Sequence, residues 1–413
     1  LIKIEITDEI KAAVDLHWKW IAHRFRIREK NDGLTGAVKG AFTRARNKKK
    51  ELYFWLGYIT DNDKNNDSIV DSKDEKFEKL ICSNPKEMIK YARESQQNEY
   101  QNLILKPPSK YRSYERKKKK IESMDDTEDP KYKELEEEIK NMESLPEIKE
   151  FEERKKKGEE IQKLLNYEGL YEDKGLCKED DWNAYKLCNM VNLSLCPYCN
   201  RQYIFTVGKD GKGLVRPQLD HFFVKSIFPY LSCSFFNLIP SCPFCNEGKG
   251  DEPKETIYPY LEEFGENYVF KMDVQDVKDV KKLKNIKPKD IDYSICLDDG
   301  NLDVSLDQTF FQAKDVAEFR KLLHASDEVF NLTELYKAHQ ADLKDLLEKY
   351  VNVTGANLDE LADKYYKGKG KITDEDKQSL RRILLGLPIK IENADYPLRK
   401  FKEDIIDQLD KER

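Results

Sequence analysis

Apolar positions recur at helical spacing through most of this chain, and the interruptions divide it. In residues 2–50 a stripe of Ile10, Val14, Leu16, Trp18, Trp20 and Phe25 predicts helix. An Asn/Asp/Ser/Lys tract over residues 60–76 reads as a mobile loop, after which helical spacing resumes over 77–105. Pro107 and Pro108 punctuate the chain. Over residues 111–165 Glu and Lys alternate at three- and four-residue spacing, which predicts long exposed helices folded as a hairpin broken near Asp129-Pro130. Their apolar positions are too sparse for a sustained heptad seam. Residues 196–250 are aromatic, strand-rich and punctuated by Gly and Pro. Strands are predicted at 268–272 and 302–304, and amphipathic helices over 315–409 with breaks at Gly355 and Gly368/Gly370. Four successive segments result: a helical domain with a basic patch (1–106), a charged helical insert (107–170), a cysteine-bearing core (171–255), and a C-terminal α/β and helical domain (256–413).

Composition sharpens this picture. Charged residues make up 37% of the 413 positions and hydrophobic ones 39%, which fits charged helices around modest cores. No apolar run approaches the roughly 18–20 residues that span a bilayer, so a helical membrane protein is excluded. The chain begins at Leu1, and residues 2–10 alternate charge with apolar side chains without an apolar signal core. The nine cysteines, an odd number, do not read as a secreted disulfide framework. A reducing cytoplasmic location is the expectation. Cys82, Cys177, Cys188, Cys233 and Cys296 are scattered and read as small buried hydrophobes.

Net charge is −6, so no global basic bias marks a nucleic-acid binder. Locally, residues 17–50 hold eleven Lys/Arg against two acids, interleaved with aromatic rings. Lys19, Arg24, Arg26, Arg28, Arg44, Arg46 and Lys48 are therefore candidates for tracking phosphates. A solvated helix face, or a dock for an acidic partner, is the competing reading.

The chemistry concentrates between two C-x-x-C pairs, Cys196/Cys199 and Cys242/Cys245, separated by 42 residues. Four thiolates from two tight turns suit a closed tetrahedral Zn²⁺ site, and with every position filled by sulfur that metal is structural. A redox pair and plain core cysteines remain open alternatives. Between the pairs, Asp220-His221 ends an apparent strand, Asn237 begins a second, and Asn246 lies at the start of a helix. A carboxylate and a carboxamide oxygen can share a hard cation such as Mg²⁺ or Mn²⁺, and a neighbouring imidazole can take a proton from water. A helix start near Asn246 would add backbone N–H groups favourable to an anion.

The string from Cys196 to Asp251 resembles the HNH, or ββα-metal, endonucleases with flanking zinc knuckles. Asp220-His221 matches the acid–histidine pair, Asn237 the middle asparagine and Asn246 the third position. The resemblance implies an α+β fold class: a mostly helical multidomain chain around a small zinc-stabilised ββα-metal nuclease core. It implies His221 as general base, Asp220 and Asn246 as holders of the catalytic cation, and Asn237 as the residue pinning the loop that aims His221. Lys249 is a candidate for the scissile phosphate or a solvated helix end; Lys225 and Glu247 are weaker candidates. The cadence from Leu219 to Asp251 is similar to HNH proteins of prokaryotic anti-phage systems that work beside ABC-type ATPases. A fainter likeness touches Leu335-Tyr336, His339 and Pro397-Leu398-Arg399-Lys400. No G-x-x-x-x-G-K-[ST] loop is present, so any ATP dependence acts in trans. The expected function is a metal-dependent DNA endonuclease controlled by a partner ATPase. The alternatives are a non-catalytic zinc adaptor on nucleic acid and an RNase or tRNA-cleaving toxin. His17, His23, His324 and His339 read as structural or exposed, and Asp298-Asp299-Gly300-Asn301 as a plain turn.

Overall fold

The computed structural model describes residues 1–27, 36–94, 98–171, 182–210, 212–252, 254–274, 293–300, 311–353, 356–368, 371–389 and 396–411. Arg28, Cys177, the strand predicted at 302–304 and the breaks at Gly355 and Gly370 lie outside them. The chain is α+β and mostly helical, with short two-stranded sheets. It divides into two compact units that interleave along the sequence: a helical unit of residues 7–190 and 220–239, and a cysteine unit of residues 1–6, 191–219 and 240–413. The four successive segments drawn from composition follow a different partition. Charge density tracks the sequence, whereas packing gathers pieces far apart in it.

In the helical unit, α1 (Asp8–Phe25) begins where Thr7 Oγ1 accepts from the Ile10 N–H and ends at Arg26, whose φ of 53° is left-handed. Helix therefore starts at Asp8 and not at residue 2. Its stripe of Ile10, Ala13, His17, Trp18, Ile21 and Phe25 is buried. α2 (Gly36–Trp55) contributes buried Leu52 and Tyr53 and also a fully buried Lys49, paired with Asp71 at 2.6 Å and Asp74 at 3.2 Å. Those partners come from the stretch expected to be a loop. It forms a 3₁₀ turn (Asp61–Asn65), α3 (Asp67–Asp71) and the start of α4 (Asp74–Cys82). Its polar residues serve as caps and counter-ions: Asp63 accepts from the Thr60 N–H, Asn66 caps α3, and Asp67 pairs with Lys50 at 2.7 Å. α5 (Pro85–Ala92) follows behind an Asn84/Glu87 capping box.

The charged insert folds as three helices, α6 (Tyr111–Glu122), α7 (Pro130–Glu143) and α8 (Pro146–Leu165). Asp129 caps α7 with Pro130 as its first residue, and Pro146 opens α8. A small core of Leu105, Tyr111, Tyr114, Ile139, Ile148 and Phe151 joins them. α8 approaches the loop after residue 221 closely at Gly158, where a Cβ would lie 2.5 Å from Leu105 Cδ1 and 3.1 Å from Pro229 Cγ. Gln162 Nε2 donates to Lys225 O at 2.5 Å. The insert thus carries a backing surface for that loop in addition to its solvated faces. α9 (Ala184–Val191) ends the first stretch of this unit.

In the cysteine unit, β1 (Val207–Lys209) and β2 (Lys212–Val215) form an antiparallel hairpin. β3 (Gln218–His221) pairs with β4 (Leu238–Ser241), and the chain passes between units within these two strands. α10 (Pro243–Lys249) follows β4 directly. β5 (Val269–Val274) pairs antiparallel with β6 (Tyr293–Asp298), a strand the sequence pattern did not single out. α11 (Val316–Phe330), α12 (Leu332–Lys337), α13 (Gln340–Asn352), α14 (Ala356–Tyr365), α15 (Asp374–Leu384) and α16 (Arg399–Lys411) complete the unit. Phe270, Met272 and Ile295 join Tyr336, Leu346, Phe401 and Ile405 in one core. Side chains of α16 satisfy the outer edge of β5: Asp404 accepts from the Phe270 N–H, and Gln408 bonds both N–H and C=O of Met272 at 2.9 Å. Of the scattered cysteines, Cys188 and Cys233 are buried, Cys82 half-buried and Cys296 exposed. No helix among the described residues is long and apolar enough to cross a membrane.

Candidate functional site

The first knuckle is a turn closed at its base. Cys196 N–H donates to Gln202 O at 3.0 Å, Asn200 N–H donates to Cys196 O at 2.9 Å, and Leu195 bridges Tyr203. Asn200 adopts a left-handed φ of 53°, a conformation that Asn tolerates. The second knuckle is a helix start: Cys242 is the cap residue of α10, Pro243 its first position, and Cys245 lies in its first turn. The four Sγ atoms lie within 4.8 Å of one another, all buried. Cys199 and Cys242 Sγ stand 3.9 Å apart. Two sulfurs on tetrahedral zinc at Zn–S of about 2.3 Å are about 3.8 Å apart, so the quartet has the dimensions of a structural zinc site. All four are free cysteines. Among the described residues no other set of three or more His, Cys, Asp or Glu side chains gathers closely enough to hold an ion.

The electrostatics agree with that donor set. Hydrogen bonding from Cys196 pulls Cys199 well below the usual thiol range and Cys242 below it, whereas burial pushes Cys196 well above. Contacts with the other three sulfurs push Cys245 up as well. Four packed thiols cannot all shed protons unaided; a divalent cation at their centre removes the conflict.

Three aromatic and backbone contacts hold the first knuckle from the C-terminal helices of the same unit. Tyr336 on α12 donates its hydroxyl to Cys199 O at 2.7 Å, Tyr198 stacks on Phe330 of α11 at 4.2 Å between centroids, and Leu398 N–H donates to Asn200 O at 2.9 Å. Arg201 Nε donates to His339 Nε2 at 2.9 Å. That nitrogen is therefore the acceptor, and His339 Nδ1–H donates to Asp342 at 2.8 Å. Tyr336, His339 and Leu398 all belong to the stretches of fainter likeness. Their role as braces is not readable from spacing, because the contact spans 137 positions.

The candidate catalytic residues distribute as follows. Asp220, buried, and His221, half-buried, end β3. His221 Nε2 lies 2.9 Å from Ser232 O; a carbonyl only accepts, so Nε2 carries the proton. The ring meets Tyr167 edge-on at 4.4 Å between centroids. Asn237 is fully buried at the end of a 3₁₀ turn, directly before β4 and not within it. Its Oδ1 accepts from Phe223 N–H at 2.7 Å, and its Nδ2 donates to Phe223 O at 3.1 Å and Leu231 O at 2.9 Å. These bonds tie both ends of the loop on which Ser232 sits. Asn246 is the fourth residue of α10, three positions after its start, and its backbone N–H donates to Cys242 O at 3.1 Å. Its Nδ2 donates to Gln218 Oε1 at 2.7 Å. Gln218 escaped the motif reading, although it shares a strand face with Asp220 two positions on. Lys249 is buried in the last turn of α10, which rules out the solvated helix end; Glu247 is exposed. Lys225 lies 3.8 Å from Glu168 and over the Tyr167 ring.

The basic stretch resolves into unlike members. Lys19, Arg44 and Lys48 are exposed. Arg24 donates to Leu165 O at 2.9 Å and covers the Trp20 ring, Arg26 caps α1, and Arg46 pairs with Asp71 at 3.0 Å. His17 is fully buried, its Nδ1 accepting from Trp182 Nε1 and its Nε2 bonded to Cys233 O, both at 2.8 Å.

Fold and site together define a mostly helical α+β protein with a buried four-cysteine cluster that could hold a metal ion. In comparisons with known proteins, no family model, no curated protein and no solved structure matches the chain.

Proposed function

We propose that this chain is a metal-dependent endonuclease of the ββα-metal type that hydrolyses DNA phosphodiester bonds, controlled by an ABC-type ATPase partner. The observation that carries this reading is the orientation of His221. With Nε2–H held by Ser232 O, and the loop behind it tied by Asn237, the tautomer that would serve as base is the one whose unprotonated nitrogen is Nδ1. That nitrogen is the base that takes a proton from attacking water. On the sequence pattern, Asp220 and the Asn246 carboxamide oxygen are hard donors of the kind Mg²⁺ or Mn²⁺ takes. A divalent cation held there would stabilise the crowded phosphorane and the leaving 3′ oxygen as a Lewis acid. The cysteine quartet supports the reading as the structural zinc clamp that the motif requires.

The test incubates zinc-loaded protein with supercoiled plasmid and Mg²⁺ or Mn²⁺, with and without the partner ATPase and ATP, beside His221→Ala. Nicking or linearisation by the parent, lost by about 100-fold or more in the variant at equal zinc content, is expected. Equal nicking by both, or none under any condition, favours the non-catalytic zinc adaptor. Preferential cleavage of labelled RNA offered alongside assigns the ribonuclease instead.

A further inference from the structure

We infer that the hairpin of the first knuckle is a stacking platform for single-stranded DNA, so that the substrate presents unpaired bases to this protein. The inference rests on the nucleic-acid reading above and deepens it. Residues 203–215 carry an unusual run of exposed apolar side chains: Tyr203 is 53% exposed, Phe205 50%, Val207 46%, Leu214 59% and Val215 59%. Ile204 between the two rings is buried, so alternate side chains turn outward. Tyr203 and Phe205 stack on each other, centroids 4.9 Å apart and planes 20° apart. Two parallel rings already stacked offer a further planar face at modest ordering cost, and a nucleobase is a planar group that can extend such a stack.

Charge selects the occupant. From Arg201 to Arg216 the segment holds four Lys/Arg against the single acid Asp210, in a chain of net charge −6. Lys209 and Lys212 face each other across the hairpin and are exposed. Rings for bases beside cations for phosphates are what a single strand needs; a duplex hides its base faces and would leave the rings idle. The hairpin leaves through Arg216-Pro217 into β3, the strand that ends in Asp220-His221.

The experiment measures binding by fluorescence anisotropy in a His221→Ala background, with labelled single-stranded DNA of about 15 nucleotides, the matching duplex and the matching RNA. Single-stranded DNA is expected to bind at least about ten-fold tighter than duplex. Tyr203→Ala/Phe205→Ala should weaken it by about ten-fold or more while duplex binding shifts less than about two-fold. Lys209→Glu/Lys212→Glu should flatten its salt dependence. Tighter binding of duplex or RNA, no binding at all, or an aromatic variant with full zinc content that binds like its parent overturns the inference. Should that variant misfold, photocrosslinking of a 5-iododeoxyuridine oligonucleotide to the parent decides: crosslinks on the peptide holding Tyr203 and Phe205 support it, and crosslinks only elsewhere overturn it. Neither readout uses cleavage. A protein that cuts but ignores the hairpin ends this inference alone, and one that binds through the hairpin but never cuts ends the nuclease reading alone.

Discussion

The hydroxyl of Tyr336 donates a 2.7 Å hydrogen bond to the backbone carbonyl of Cys199, and the phenol is fully buried when it does so. A metal-site turn is thereby fixed by a helix far along the chain. Tyr336→Phe keeps the ring and its contacts with Phe270 and Phe401 but leaves that carbonyl without its partner. A loss of about 1–2 kcal/mol is expected, read as a lower urea midpoint, with zinc content unchanged and faster release of zinc to a chelator.

Cys242→Ala removes one thiol of the quartet, and no helix-capping bond is lost with it because the Cys242 side chain makes none. Zinc content measured by elemental analysis should fall to background, and the cysteine unit should melt at lower temperature, because ligation there is folding free energy. Chelator treatment of the parent should reproduce the shift. A variant that kept both zinc and melting temperature would sink the structural assignment of the quartet.

His17 sets a pH dependence. Burial, aided by the nearby Arg24 charge and opposed by the Cys233 carbonyl, lowers its pKa from 6.5 to about 4. Below pH 6.5 the unfolded chain binds a proton that the folded protein refuses, so stability falls between pH 6.5 and about 4 and levels off beneath. The full span is about 3 kcal/mol. Urea midpoints at stepped pH values should show this slope, and His17→Gln, although less stable overall, should flatten it.

Asn237→Ala strips three hydrogen bonds from a buried loop, those with Phe223 N–H, Phe223 O and Leu231 O. A destabilisation of about 3 kcal/mol is expected by denaturant titration. If cleavage is established, the variant should lose activity at temperatures where it remains folded, since His221 depends on Ser232 in that loop for its orientation.

Helices and the cysteine quartet were legible because each rests on local chemistry: periodic apolar residues, a Pro after a capping Asp at 129–130, two thiols per tight turn. The tract at 60–76 was misread for a physical reason. Its Asp residues look like solvated loop positions until α2 supplies Lys49 and Lys50, and the buried ammonium of Lys49 could not be anticipated from a row of basic residues. Arg24 and Arg46 illustrate the same limit, since their partners are distant carbonyls and carboxylates. Gln218 and Tyr336 were missed because spacing records neither the partner of a side-chain amide nor a contact across more than a hundred positions.

The separation of the two knuckles also governs how the protein is made. Cys196 and Cys199 leave the ribosome ahead of Cys242, with 42 residues between Cys199 and Cys242, and Tyr336 follows later still. Throughout that interval the first pair is an open dithiol, vulnerable to oxidants and to miscoordination. With zinc as the ligand of the quartet, its supply during translation is expected to change the yield of folded chain, whereas in the finished molecule the four sulfurs are buried.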